Sequence, residues 1–134
     1  MRNQTRLLTY GPYASYITDQ WEILAELYKF RNRDLSGGTG AHGSSAWYLQ
    51  AGYNTGRVTP YLRTERTSLN QADNYFAVQN SGRSYHTTSL GLRFDLTNSV
   101  ALKFEAGRTT QRNVTALGGD DRFNEFRTQF SIRF

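Results

Sequence analysis

The stretch that decides the fold is the last one, residues 123–134, with the sequence FNEFRTQFSIRF. Its even positions from Phe126 to Phe134 are mostly large and apolar, whereas its odd positions from Arg127 to Arg133 are all polar. This alternation is typical of a β-strand with one apolar and one polar face. Because a chain end is usually frayed and polar, an aromatic last residue on the apolar side indicates that this end is held in place.

The composition allows one domain, residues 1–134, and excludes several chemistries. There are 12 Gly, 2 Pro and no Cys, so disulfides, thiol catalysis and Cys-based zinc sites are excluded. The mean hydropathy is −0.67, and no window approaches the roughly 18 apolar residues of a membrane-spanning helix. The first ten residues, MRNQTRLLTY, contain no visible export signal. Strands that alternate in polarity escape such hydropathy scans, because only every second residue is apolar.

Six further alternating segments precede the last one, so the pattern predicts about seven strands. They cover 7–17, 21–30, 47–54, 58–67, 87–96, 100–107 and 123–134. Two points stay open: apolar residues of 7–17 fall on both parities, so its register is undetermined, and 20–30 also fits a helix. Pro12 removes a ladder donor from the first strand, as at an edge or bulge.

The connections between these strands alternate between short and long. Short turns are predicted around 19–20, 55–56 and 97–99, and long loops over 34–45, 68–83 and 113–122. This pattern predicts an all-β fold, an antiparallel up-and-down meander that forms part or all of a transmembrane β-barrel. Closed single-chain bacterial barrels have an even number of strands, so seven predicts either one missed strand or the C-terminal part of a larger barrel.

Two runs carry a family resemblance: WYLQAGYNTGRVTPYLRTE at 47–65 and TSLGLRFDLTNSVALKFEAG at 88–107. Together with the final strand ending on Phe134, they resemble the closing hairpins and the C-terminal assembly signal of general and phosphate-selective porins. The resemblance implies a channel for passive diffusion of small hydrophilic solutes or ions in the outer membrane of a Gram-negative bacterium. It also implies insertion by the barrel-assembly machinery through Phe134 and contact with outer-membrane lipid and lipopolysaccharide, and it allows a homo-oligomer. The missing export signal and the short length point to a truncated chain.

If the polar faces line a lumen, the predicted pore-lining residues carry nearly balanced charge. They are Glu22, Glu26, Tyr61, Arg63, Glu65, Arg93, Asp95, Lys103, Glu105, Arg127 and Arg133, with Glu125 beside them. One interpretation is a charged wall that sorts permeating solutes. The other is pairing of opposite charges across neighbouring strands, and the near balance favours pairing.

The surplus of positive charge, +5 overall, is predicted to lie at the ends of the strands near the long loops. This extracellular basic rim comprises Lys29, Arg31, Arg33, Arg66, Arg83, Arg108, Arg112 and Arg122. Such a rim attracts anions or binds phosphates of lipopolysaccharide, or is simply solvated. At the opposite end of the apolar face, a membrane girdle is predicted from Trp21, Tyr53, Phe94 and Phe134. The alternative for these aromatics is core packing in a soluble β-sandwich.

Catalytic motifs are not evident, so the sequence predicts no enzyme, no cofactor and no metal site. His42 and His86 are isolated, and Asp120 with Asp121 lack the acidic spacing of a calcium loop. The cations cluster at one end of a meander instead of along an aromatic platform, which argues against nucleic-acid binding. Two alternatives to a channel stay open: an eight-stranded, non-conducting anchor or adhesin with a packed lumen, and a soluble lipocalin-like barrel with its Phe-rich face inside.

Overall fold

The computed structural model describes residues 4–35, 40–73, 75–76, 83–112 and 119–133. This part of the chain forms a single antiparallel sheet, as the alternating sequence predicted. The strands are β1 (Thr5–Tyr10), β2 (Tyr13–Ile17), β3 (Trp21–Asp34), β4 (Ala41–Tyr53), β5 (Val58–Ser68), β6 (Tyr85–Thr97), β7 (Val100–Gln111) and β8 (Asp121–Ile132). None of the helices in this part of the chain is long and apolar enough to cross a membrane.

The strand order is β1-β3-β4-β5-β6-β7-β8, and β2 also pairs with β3. From β2 to β8 each strand therefore lies beside the next one in the chain, which is the predicted up-and-down meander. Because β1 and β2 occupy one position, the eight strands fill seven positions across the sheet. In the described residues, the position of β1 and β2 forms one edge and β8 forms the other.

The first predicted strand, 7–17, is interrupted at Gly11 and Pro12. Its register is nevertheless continuous, since Tyr10 pairs with Lys29 and Tyr13 with Glu26. Pro12 has no N–H to give to the ladder, but its carbonyl accepts a 3.0 Å hydrogen bond from the amide of β3 opposite. A Cβ at Gly11 would lie 1.6 Å from a backbone oxygen of β3, so only glycine fits this approach. Pairing with β3 thus fixes the register that the sequence left undetermined.

Two sequence-based interpretations are wrong. The helical alternative for 20–30 fails, because β3 runs as one strand from Trp21 to Asp34. The loop predicted over 34–45 is too long, because β4 already begins at Ala41, where Arg33 pairs with it. The extension of β3 gives the backbone of 41–45 a ladder of hydrogen-bond partners, and these outweigh the weak strand propensity of Gly and Ser.

The connections follow the predicted alternation of short and long. Thr18 to Trp21 closes one tight turn, in which the amide of Trp21 donates to the Thr18 hydroxyl at 2.9 Å. The next turn contains Gly56 at φ +104°, a conformation that favours glycine. The third follows a register shift between Asp95 and Thr97. All three turns join strands at the same end of the sheet, called here the turn end; the opposite end is the loop end.

The register sorts the side chains onto two faces, because residues that pair directly across strands point to the same side. The polar face contains Thr87 and Ser89, which are 2% and 3% exposed. The apolar face contains Leu90 and Phe126, which are 67% and 84% exposed. At these positions polar residues are shielded and large apolar residues are exposed, the reverse of a soluble globular domain. This arrangement is also the reverse of what the lipocalin-like alternative requires.

Candidate functional site

Every carboxylate within the strands lies on the polar face. There are eight of them: Glu22, Glu26, Asp34, Glu65, Asp95, Glu105, Asp121 and Glu125. The same face has four strand cations: Arg63, Arg93, Lys103 and Arg127. The predicted near balance of charge therefore does not hold within the strands. Asp34 and Asp121 were interpreted as loop residues, whereas they belong to β3 and β8.

Arg93 on β6 contacts a strand that is not its neighbour in the sheet. Its guanidinium lies 3.2 Å from Glu22 Oε2 on β3, across the positions of β4 and β5. It also lies 3.3 Å from Asp95 Oδ1 and 3.5 Å from Thr59 Oγ1. The register puts Gly52 directly beside Glu22, and a Cβ at Gly52 would lie 3.2 Å from the Thr59 side chain. One cation is thus shared by acceptors on β3, β5 and β6.

Tyr61 on β5 crosses the next strand in the same way. A Cβ at Gly91 would lie only 2.0 Å from the Tyr61 ring carbon Cζ, so the ring rests directly on the glycine backbone. Beyond it the Tyr61 hydroxyl donates to Glu105 Oε2 on β7 at 2.9 Å. Glu105 in turn lies 3.7 Å from the Arg127 guanidinium on β8. The chain of contacts therefore runs from β5 to β8 through a gap that only glycine provides.

Shorter contacts reinforce this network along each strand. Arg63 pairs with Glu65 at 2.8 Å and lies 4.5 Å above the centre of the Tyr48 ring. Arg127 pairs with Glu125 at 2.8 Å. Since these ion pairs are partly open to solvent, each contributes at most about 1 kcal/mol to stability. Their main effect is to hold the charged groups in fixed positions along the polar face.

The connection after β5 folds back onto the polar face at the loop end. Asp73 Oδ2 accepts a 2.7 Å hydrogen bond from the Asn32 side-chain amide, and both residues are at most 2% exposed. The amide of Asn70 donates to Ser44 Oγ at 3.0 Å, and Phe76 packs edge-on against a phenylalanine of β3. The sequence predicted only a long polar loop here. Phe76 was the one signal, since a large aromatic in a polar loop needs a surface to cover it.

The predicted pore-lining residues within the strands all lie on the polar face. Arg133 follows the end of β8, and its backbone amide donates to the Ser99 carbonyl at 2.7 Å. Sequence reasoning missed the docked segment at Asp73 and two small residues: Gly91, which makes room for the Tyr61 ring, and Gly52, against which Thr59 and Tyr61 pack. Small residues give no charge or hydrophobic signal of their own, so only the register reveals their role.

The other two predicted sets lie at opposite ends of the sheet. Six rim residues are on the apolar face at its loop end: Lys29, Arg31, Arg33, Arg66, Arg108 and Arg122. Arg83 precedes β6, and Arg112 follows β7. In the girdle, Trp21 and Tyr53 meet edge-to-face at 5.0 Å, and Phe94 approaches another phenylalanine at 6.1 Å. The predicted roles of Phe134 fall outside the described residues.

Metal ligands do not come together in the part of the chain that the structure describes, where no group of three or more His, Cys, Asp or Glu side chains is suitably placed. His86 lies on the apolar face, 2.9 Å from Thr64 Oγ1, and His42 lies on the polar face.

Comparisons with protein-family models, curated proteins and solved structures find no significant match for this chain.

Proposed function

We propose that this chain forms part of the wall of an outer-membrane channel of porin type, through which small hydrophilic solutes and ions diffuse passively. The apolar face would contact lipid and the polar face would line water. The observation that supports this most is the separation of charge and apolar area: all strand carboxylates are on one face, and most of the large apolar side chains of β4 to β8 are on the other. A bilayer is the environment in which an exposed apolar face of this extent is stable.

The excess of carboxylates on the polar face favours cations over anions. A water-filled passage lined with acidic groups raises the local concentration of cations and lowers that of anions. The ion pairs of Arg93 and Arg127 neutralise part of this charge, so the preference is expected to be modest. The segment at 69–73 and 75–76 docks on the same face and would narrow the passage near its loop end.

A conducting wall must be closed, because unpaired strand edges are not tolerated in hydrocarbon. In the described residues, the edge at β1 and β2 and the edge at β8 are not paired with each other. The channel proposal therefore requires both edges to find strand partners in the membrane. These partners would come from further strands or from other copies of the chain.

The test is conductance across planar lipid bilayers under a salt gradient. We expect discrete current steps, with a reversal potential whose sign shows a preference for cations. Glu26→Gln removes one carboxylate from the polar face and should shift the reversal potential toward zero. Asp19→Asn removes the same charge from a turn outside the strands and should leave the potential unchanged. An absence of current steps from correctly folded protein would refute the channel.

A second candidate is a non-conducting anchor, and the lateral network favours it. Tyr61 reaches across one strand and Arg93 across two, as expected where side chains interlock to fill a lumen. An anchor would give folded, membrane-inserted protein with no current in the experiment above. The same preparation therefore distinguishes the two candidates.

A further inference from the structure

Glu26 on β3 is a carboxylate of the polar face that has no ion-pair partner among the residues that the structure describes. Five other strand carboxylates each pair with an arginine: Glu22, Glu65, Asp95, Glu105 and Glu125. Glu26 instead accepts a hydrogen bond from the hydroxyl group of Tyr28, two residues further along the same strand. A hydroxyl group satisfies a lone pair of the carboxylate but supplies no positive charge. The charge of Glu26 is therefore not compensated within this part of the chain.

Three tyrosines surround Glu26 on the polar face. Tyr13 on β2 and Tyr48 on β4 pair directly with Glu26 from its two sides, so their side chains point to the same face as the carboxylate. The Cβ atoms of such directly paired residues are about 4.5–5.5 Å apart. Tyr28 is held against the carboxylate by its hydroxyl group. The three rings and the carboxylate together are called here the tyrosine cage.

The tyrosine cage is open to the space above the polar face. Tyr13 is 77% exposed and Tyr28 is 37% exposed. The third ring, Tyr48, already attracts a cation, since the Arg63 guanidinium lies 4.5 Å from its centre. Arg63 does not compensate Glu26, because it pairs with Glu65 at 2.8 Å. The cage thus presents two exposed aromatic rings, whose faces attract cations, beside an uncompensated carboxylate.

A row of aromatic side chains connects the cage with the loop end. The Tyr28 ring stacks on Phe30, with 6.3 Å between the ring centres. Phe30 meets Phe76 edge-on at 5.7 Å, and Phe76 meets Tyr75 edge-on at 5.2 Å. Tyr75, the last ring of the row, is 38% exposed. A cation with apolar substituents therefore finds aromatic surface from the docked segment down to Glu26.

We propose that the tyrosine cage binds an alkylated ammonium group, such as the trimethylammonium group of choline. Its charge matches the carboxylate of Glu26, and its methyl groups contact the rings of Tyr13 and Tyr28. A primary ammonium group is strongly hydrated, and calcium takes six to eight oxygen ligands, so neither suits a site with one carboxylate among aromatic rings. The inference names a solute class for the proposed channel and rests on that proposal only for the access of water to the polar face.

The experiment titrates the full chain with choline and follows the trimethylammonium proton signal by NMR. The protein is folded in maltoside micelles, because this detergent contains no ammonium group. The neutral carbon analogue, in which a tert-butyl group replaces the trimethylammonium group, should bind at least about tenfold more weakly. Glu26→Gln removes the charge and should weaken choline binding at least about fourfold. Circular dichroism verifies that each variant keeps its sheet.

The contribution of a ring is tested at Tyr13, the most exposed of the three tyrosines. Tyr13→Leu removes an aromatic face and should weaken choline binding by about twofold to fivefold. Tyr13→Phe is the matched control, since it keeps the ring and should change binding by less than about twofold. A loss with phenylalanine as large as that with leucine would overturn the role of the ring.

The matched control for charge is Asp121→Asn, which removes one carboxylate from the same face on β8, at the far edge of the sheet. It should change choline binding by less than about twofold, as expected for a distant, exposed charge. Equal losses with Glu26→Gln would show general attraction of cations and overturn the site. An absence of choline binding, or equal binding of its neutral analogue, would also overturn the site, and equal binding of ethanolamine would overturn the alkylated class. Binding is measured without a bilayer, so a failed channel and a failed cage are distinguishable.

Discussion

The two faces of the sheet differ in how their side chains are stabilised. On the polar face, Tyr61 reaches across a neighbouring strand to Glu105, and Arg93 reaches across two strands to Glu22. On the apolar face, Leu90 and Leu92 of the same strand stand open to the surroundings. The polar face is thus organised by specific side-chain contacts, whereas the apolar face depends on the solvent around it. Substitutions on the two faces should therefore destabilise the protein for different reasons.

The largest expected effect comes from placing a charge in the middle of the apolar face. Leu92→Arg should lower the free energy of unfolding in lipid vesicles by about 2–4 kcal/mol, because an arginine near the bilayer midplane is poorly solvated. The control is Leu96→Arg, close to the turn end, where the cost should fall to about 0–1 kcal/mol. Denaturant titration of vesicle-bound protein measures both. Equal costs at the two depths would contradict the lipid-facing assignment.

A medium effect is expected at Gly91, where the absence of a side chain leaves room for the Tyr61 ring. Gly91→Ala forces the Tyr61 ring off the strand that it crosses and should cost about 1–3 kcal/mol through overpacking. Gly43→Ala is the matched control, because its new methyl group meets open space, and its effect should stay within about 0.5 kcal/mol. The same denaturant titration compares them. Similar costs at both glycines would mean that the crossing of Tyr61 over Gly91 is unimportant.

The smallest effect should come from one hydroxyl group. Tyr61→Phe keeps the ring over Gly91 but removes the hydrogen bond to Glu105, and should cost about 0.5–1.5 kcal/mol. Tyr53→Phe, on the apolar face at the turn end, should cost under about 0.5 kcal/mol. A double-mutant cycle of Tyr61→Phe with Glu105→Gln isolates the coupling between the two side chains. A coupling energy of zero would show that the hydroxyl bond adds nothing to the network.

Local alternation was enough to predict the fold class and the faces. From β3 to β8 each predicted face agrees with the register, because a period of two leaves only one way to bury one side of a strand. It was not enough for β1 and β2, where apolar residues fall on both parities and the register comes from pairing with β3.

The candidate site was only partly predictable. Glu22 and Arg93 were both expected on the polar face, but 71 residues separate them, and nothing in the sequence indicates that they meet. The excess of carboxylates was missed because Asp34 and Asp121 lie at strand ends, where strand boundaries are hardest to locate. Whether an end residue belongs to a strand depends on the partner strand opposite.

The amino-acid sequence by itself determined which side chains share a face, because that depends only on the alternation of neighbouring residues. Only the tertiary structure decided which of them touch, since contacts across strands depend on pairing register and on small residues such as Gly52 and Gly91. It also decided that Asp73 folds back onto β3 and that three tyrosines surround Glu26. These arrangements join residues far apart in the chain, and local patterns carry no information about such distances.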